Sequence, residues 1–119
     1  MNNDIMTDNL PPQNIEAEQA VLGAIFLNTD ALADAMEYVE ADDFYRRAHQ
    51  ILFQAMVNLN NDGEAIDVLT VQNYLTTNNQ LDDVGGVAYI AELATSVPTA
   101  ANAGYYAKIV EGKSMLRRL

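Results

Sequence analysis

The sequence contains no cysteine, which excludes disulfides and thiolate metal sites. It has one histidine, His49, so an imidazole-rich metal site and most histidine-based triads cannot be assembled within a single chain. Its expected place is a partly buried, hydrogen-bonded position flanking a helix. No GxxxxGK[ST] loop occurs, and without it there is no backbone cradle with an adjacent lysine for a nucleotide triphosphate. The only glycine pair, Gly85 and Gly86, lacks the longer phosphate-binding pattern and reads as a turn. No apolar run reaches the roughly 18 residues of a membrane span. Residues 1–12 hold Asp4 and Asp8 in place of the basic lead and apolar centre of a secretory signal. The expectation is a cytoplasmic protein with no membrane partner.

Basic residues are scarce as well, and unevenly placed. Residues 1–107 hold Arg46 and Arg47 against sixteen acids, a balance of −14, whereas residues 108–119 hold Lys108, Lys113, Arg117 and Arg118 against Glu111, a balance of +3. Nucleic-acid binding draws much of its affinity from Lys and Arg displacing counterions from phosphate. An acidic body with little basic and aromatic interleaving is therefore a poor direct binder of duplex or single strands, and suits a basic protein partner. The acidic pairs Asp42/Asp43 and Asp82/Asp83 lack the spacing of a calcium loop, and aspartate is the expected residue at helix starts and turns. No catalytic, cofactor-binding or metal-binding residue is assigned.

What is present is helical periodicity. Half of the 119 residues are hydrophobic, enough for one core. After a polar, proline-containing lead, Asn14 is placed to cap a first helix with Glu16 and Glu18 in its opening turn. Val21, Leu22, Ile25 and Phe26 share one side of it, and Ala17, Ala20 and Ala24 with Gly23 offer a surface for close approach. Asp30 is expected to cap a short second helix carrying Leu32, Ala35, Met36 and Val39, ended by the acidic stretch of residues 40–43. Ala48, Ile51, Leu52, Ala55, Met56 and Leu59 then recur at helical spacing, opposite a solvated face of Arg47, Gln50, Gln54, Asn58 and Asn61. This third helix is expected to be central, with Gly63 stopping it. Asp67 caps a fourth, although the β-branched Val68, Thr70 and Val71 also fit a short strand. Residues 78–86 read as a loop. A fifth helix places Val87, Ile90, Ala91 and Ala94 on one stripe and Tyr89 and Leu93 on a second. Thr99, after Pro98, is expected to cap a sixth, in which Tyr105, Ile109, Leu116 and Leu119 fit alternating steps of four and three, with Gly112 at the vacant step. The fold class is all-α, a compact bundle of about six helices.

Four blocks carry a resemblance. LPPQNIEAEQAVLGAIFLN (residues 10–28), DDFYRRAHQILFQAM (42–56), VGGVAYIAEL (84–93) and SVPTAANAGYYAKIV (96–110) occur in the order found at the start of hexameric replicative DNA helicases of the DnaB type. The resemblance covers residues 10–119 and implies a helical head followed by a long helical hairpin, forming a collar on a RecA-like ATPase ring. It divides a head (14–98) from the first helix of the hairpin (99–119), whose partner helix lies outside the sequence; the polar, proline-containing residues 1–13 before them have little to bury and read as a mobile or loosely docked tail. It further implies pairing with copies of itself into a ring, docking of the primase C-terminal domain, and a helicase loader as a further candidate partner. ATP and magnesium would act in the absent motor, and this portion would be no enzyme. Gly112 departs from expectation, because a good helix former belongs at that position. The competing reading is a freestanding acidic helical adaptor that binds replication proteins.

Partner-binding candidates follow from both lines of argument. Tyr89 and Leu93, beside Asp82 and Asp83, make an aromatic and acidic patch suited to a basic partner helix, unless Tyr89 simply completes the core. Tyr105, Ile109, Leu116 and Leu119 are the candidate seam to the second hairpin helix or another subunit.

Overall fold

The structure, a computed structural model, describes residues 10–119. Most of the expected tail therefore lies outside the described residues. Among the described residues six α-helices follow in order: α1 (Ile15–Leu27), α2 (Asp30–Met36), α3 (Arg47–Asn61), α4 (Val68–Thr77), α5 (Gly86–Ala94) and α6 (Ala103–Arg117). Two short 3-10 turns, Ala41–Asp43 and Asp82–Val84, join α2 to α3 and α4 to α5. There is no strand among the described residues, and the expected all-α class is the observed one.

Local chemistry accounts for several helix ends. The Asn14 side chain accepts from the Ala17 amide at 2.9 Å and starts α1. Asp67 and Thr70 satisfy each other's backbone amides at 2.8 and 2.9 Å, so the capping box decides for helix over strand at α4. Gly63, at φ +72°, takes the left-handed conformation that ends α3, with the Glu64 amide donating back to the Leu59 carbonyl.

Two expected starts move. Asp30 is the first residue of α2, not its cap; its amide donates to the Asn28 side chain at 3.0 Å. Thr99 likewise does not cap α6. Its hydroxyl accepts from the Ala101 amide in a turn, and the helix begins only at Ala103. Pro98 and Thr99 thus spend their signals on the turn that redirects the chain.

The hub is α1, where the amplitude of the α3 pattern had pointed to α3. Ala17, Val21, Leu22, Ala24 and Ile25 are all buried, and α1 packs against α2, α3, α5 and α6. A helix apolar on most sides, as one covered by several neighbours can be, has weak amphipathic contrast. Gly23 permits the closest of these approaches: a Cβ there would lie 2.8 Å from the Leu93 carbonyl oxygen and collide with the Ser96 hydroxyl. The glycine thus lets the end of α5 rest directly on α1. Phe44 and Phe53, with ring centroids 4.9 Å apart, extend the same continuous core under the Ala41–Asp43 turn.

The expected separation of residues 99–119 from the head is not a separation in packing. Ala103, Ala107 and Val110 of α6 are buried in the same cluster as α1. Pro12, within the expected tail, is also held: its carbonyl accepts from Arg117 Nη1 at 2.8 Å.

Candidate functional site

Helix α6 carries two apolar faces. Ala103, Ala107, Val110 and Ser114 are buried against the head, whereas Tyr105, Gly112 and Leu116 are exposed. At about 100° per residue these two sets lie on opposite sides of the helix. Tyr105 is 69% exposed, and Leu119, just past the helix end, 99%. Met115 widens the exposed strip, while Ile109, at its edge, is half-buried on the core. Of the four seam candidates, then, Tyr105, Leu116 and Leu119 form open surface and Ile109 only its margin. The basic end of the chain lies along this helix. Lys108 sits over the ring of Tyr38, 5.2 Å from its centroid.

The second candidate region surrounds the Asp82–Val84 turn. Gly85, at φ +99°, and Gly86, at φ +76°, swing the chain into α5 in a conformation that side chains with a Cβ rarely adopt. Asp82 and Asp83 are exposed and, with Arg46, Ala48, Val84, Gly85 and Tyr89, line a shallow depression of about 460 Å³. Arg46, which the sequence pattern did not connect with this region, gives it mixed charge. Leu93 is 1% exposed and belongs to the core, so the expected exposed Tyr89/Leu93 pair is corrected. The reason is the packing of α5: Ile90 and Leu93 face inward, and Val87 and Ala91 are left outside.

Tyr89 is half-buried and tied inward. Its hydroxyl lies 2.7 Å from His49 Nε2 and accepts from Gln19 Nε2 at 3.1 Å, with its ring stacked on the imidazole at 5.9 Å. His49 is fully buried rather than partly so, and its Nδ1 is 2.7 Å from Glu18 Oε1. The other Glu18 oxygen accepts from the Tyr45 amide at 2.7 Å. A carboxylate acceptor makes Nδ1 the donor, and in the neutral ring Nε2 is then the acceptor for the tyrosine hydroxyl. Glu18, expected merely to favour the start of α1, thus reaches across to organise the approach to α3. No buried side-chain polar atom lacks a partner among the described residues. Carboxylate, imidazole and hydroxyl are aligned as in a proton relay, but each already binds the next, and the line ends on Gln19 rather than on an open cleft. It joins three helices; it offers no free nucleophile.

Among the described residues no three His, Asp or Glu side chains converge to hold a metal ion, and no helix is long and apolar enough to cross a membrane. What the surface offers is an uncovered apolar face on α6 and a mixed-charge depression beside a rigidly held tyrosine.

Residues 10–112 match the family model described as DnaB-like helicase N terminal domain. The chain belongs to that family. It is 57% identical over 116 residues to replicative DNA helicase DnaC of Bacillus subtilis, and 53% identical over 116 residues to replicative DNA helicase DnaB of Geobacillus stearothermophilus. In each case the match covers 98% of this chain and 26% of the relative, so the chain spans about a quarter of the length of these helicases. The crystal structure of the N-terminal domain of DnaB helicase from Mycobacterium tuberculosis superposes with a TM-score of 0.90 at 48% identity, covering 92% of this chain and 76% of that one. The DnaB-type blocks read in the sequence therefore mark true membership, and the chain is an N-terminal domain of the replicative helicase kind.

Proposed function

We propose that this domain assembles and docks proteins at the replication fork, and that the protein it serves unwinds duplex DNA with ATP and magnesium in a separate motor. The observation that carries this reading is α6, whose apolar residues occupy two opposed faces although the head covers only one. Leaving Tyr105, Leu116 and Leu119 in water forgoes part of the roughly 1.5–3 kcal/mol that complete burial of a large apolar side chain contributes. Another helix, from the hairpin or from a second copy, recovers it. Sedimentation of the 119-residue chain beside a version extended through the second hairpin helix tests this. The longer chain is expected to form dimers or rings that Tyr105→Ser with Leu116→Ser dissolves. Assembly unaffected by the double substitution would move the seam elsewhere.

The Asp82, Asp83 and Tyr89 surface is the docking face for the basic side of a partner, the primase C-terminal domain. Its support is the acidic turn beside an aromatic ring whose position is fixed by His49 and Gln19, since a pre-ordered anchor loses little entropy on binding. Replacing Asp82 and Asp83 by Asn is expected to weaken primase binding about tenfold in calorimetry and to reduce its salt dependence. Unchanged affinity with the fold intact would remove the face from consideration.

A further inference from the structure

The attachment of α6 to the head changes character along its length. As far as Val110 it is apolar: Ala103, Ala107 and Val110 are buried in the core. Beyond Val110 no apolar residue of the helix is buried, and the attachment consists of polar bonds centred on Asp43. Ser114 Oγ donates to Asp43 Oδ1 at 2.7 Å and Arg118 Nη2 donates to the same oxygen at 2.5 Å. Arg117 Nη2 donates to the Asp43 carbonyl at 2.6 Å, while its Nη1 reaches Pro12 and its guanidinium lies over the Tyr45 ring, 5.5 Å from the centroid. Residues 114, 117 and 118 share one side of a helix by their spacing, so a single acid can gather all three. Asp43 itself is held from behind, its second oxygen accepting from the Glu40 amide at 2.7 Å.

Between the apolar and polar parts sits Gly112. It is exposed, no atom beyond its own stretch of helix lies within 4 Å of where a Cβ would stand, and so it is not required by packing. A glycine inside a helix costs about 1 kcal/mol relative to alanine and is a point of easy bending. We propose that Asp43, Ser114, Arg117 and Arg118 form a polar latch that sets the direction of the last two turns of α6, and that these turns swing about Gly112 when the latch opens while the helix up to Val110 stays docked. Leu116 and Leu119 ride on the latched segment. A partner that covers them and fits only one of the two directions shifts the latch by its difference in affinity for them. The inference does not depend on who that partner is, nor on the docking face at Asp82.

Amide hydrogen exchange of the 119-residue chain, read residue by residue, tests the proposal. Arg118→Gln combined with Ser114→Ala removes two bonds to the Asp43 carboxylate, and the amides of residues 114–117 are expected to exchange about tenfold faster while those of 107–110 stay within about twofold. Adding Gly112→Ala to that variant is expected to return most of the lost protection. Asp43→Ala, which removes the acceptor altogether, should reproduce the loss; if that variant fails to fold, Arg118→Gln alone remains usable, because the Arg118 side chain is 63% exposed and lies outside the core. Equal acceleration along the whole of α6, no acceleration at all, or no recovery on adding Gly112→Ala would overturn the latch.

Discussion

Helices α1 and α6 are built from similar material, stripes of alanine and aliphatic residues with a glycine near the middle or end, Gly23 in one and Gly112 in the other, yet they end in opposite situations. Around α1 four helices of the same chain cover most of the apolar surface, leaving only Leu27 at its end exposed, and Gly23 is pressed by the end of α5. Around α6 the chain covers one side only, and Gly112 faces open space. A glycine within a helix therefore has two meanings, close approach in one and easy bending in the other, and only the neighbours distinguish them. The comparison also separates stability from assembly: changes on α1 should act on folding, and changes on the outer face of α6 on association.

The comparison can be broken at graded points. Leu22→Ala, at the buried hub, is expected to lower unfolding free energy by about 3–4 kcal/mol in urea titration, because the site is enclosed on all sides and cannot collapse. A loss under about 1 kcal/mol would mean that α1 is not the hub. Glu18→Ala should cost about 3 kcal/mol, since it strands the His49 ring and the Tyr45 amide without their acceptor. Glu18→Gln should recover part of this, because an amide oxygen can still accept from one of them. Gly23→Ala should cost about 2 kcal/mol through collision with the Leu93 carbonyl, whereas Gly112→Ala should stabilise by up to about 1 kcal/mol. If both substitutions moved the melting temperature in the same direction, the contrast between the two glycines would fail. Smallest of all, Leu116→Ser should change monomer stability by less than about 0.5 kcal/mol while abolishing association of the hairpin-extended chain.

Much of the fold was legible because it rests on short-range chemistry. Asn14 and Asp67 cap helices through amides three residues away, and the α3 pattern repeats within one element. The candidate sites were legible only in part. The Tyr105, Leu116 and Leu119 strip was readable as a helical period, and it lies exposed. In α5 two apolar stripes competed, and periodicity alone cannot say which stripe a neighbour will cover. Leu93 therefore went into the core while Val87 stayed out. Glu18 and His49 were invisible as partners: they stand 31 residues apart, and a lone acid in a first turn looks like any other. The same holds for Asp43 and Ser114, 71 residues apart.

By itself the sequence determined the helical class, the starts of α1 and α4 and the stop of α3, the absence of a phosphate loop, and membership of the family, since each rests on neighbours in the chain or on residue identities in order. Only the tertiary structure decided that α1 is the hub, that Tyr89 is held by a buried histidine, and that the end of α6 is fastened by an acid of the opposite region. Those facts depend on which surfaces meet, and a meeting between residues distant in the chain leaves no periodic trace in either partner.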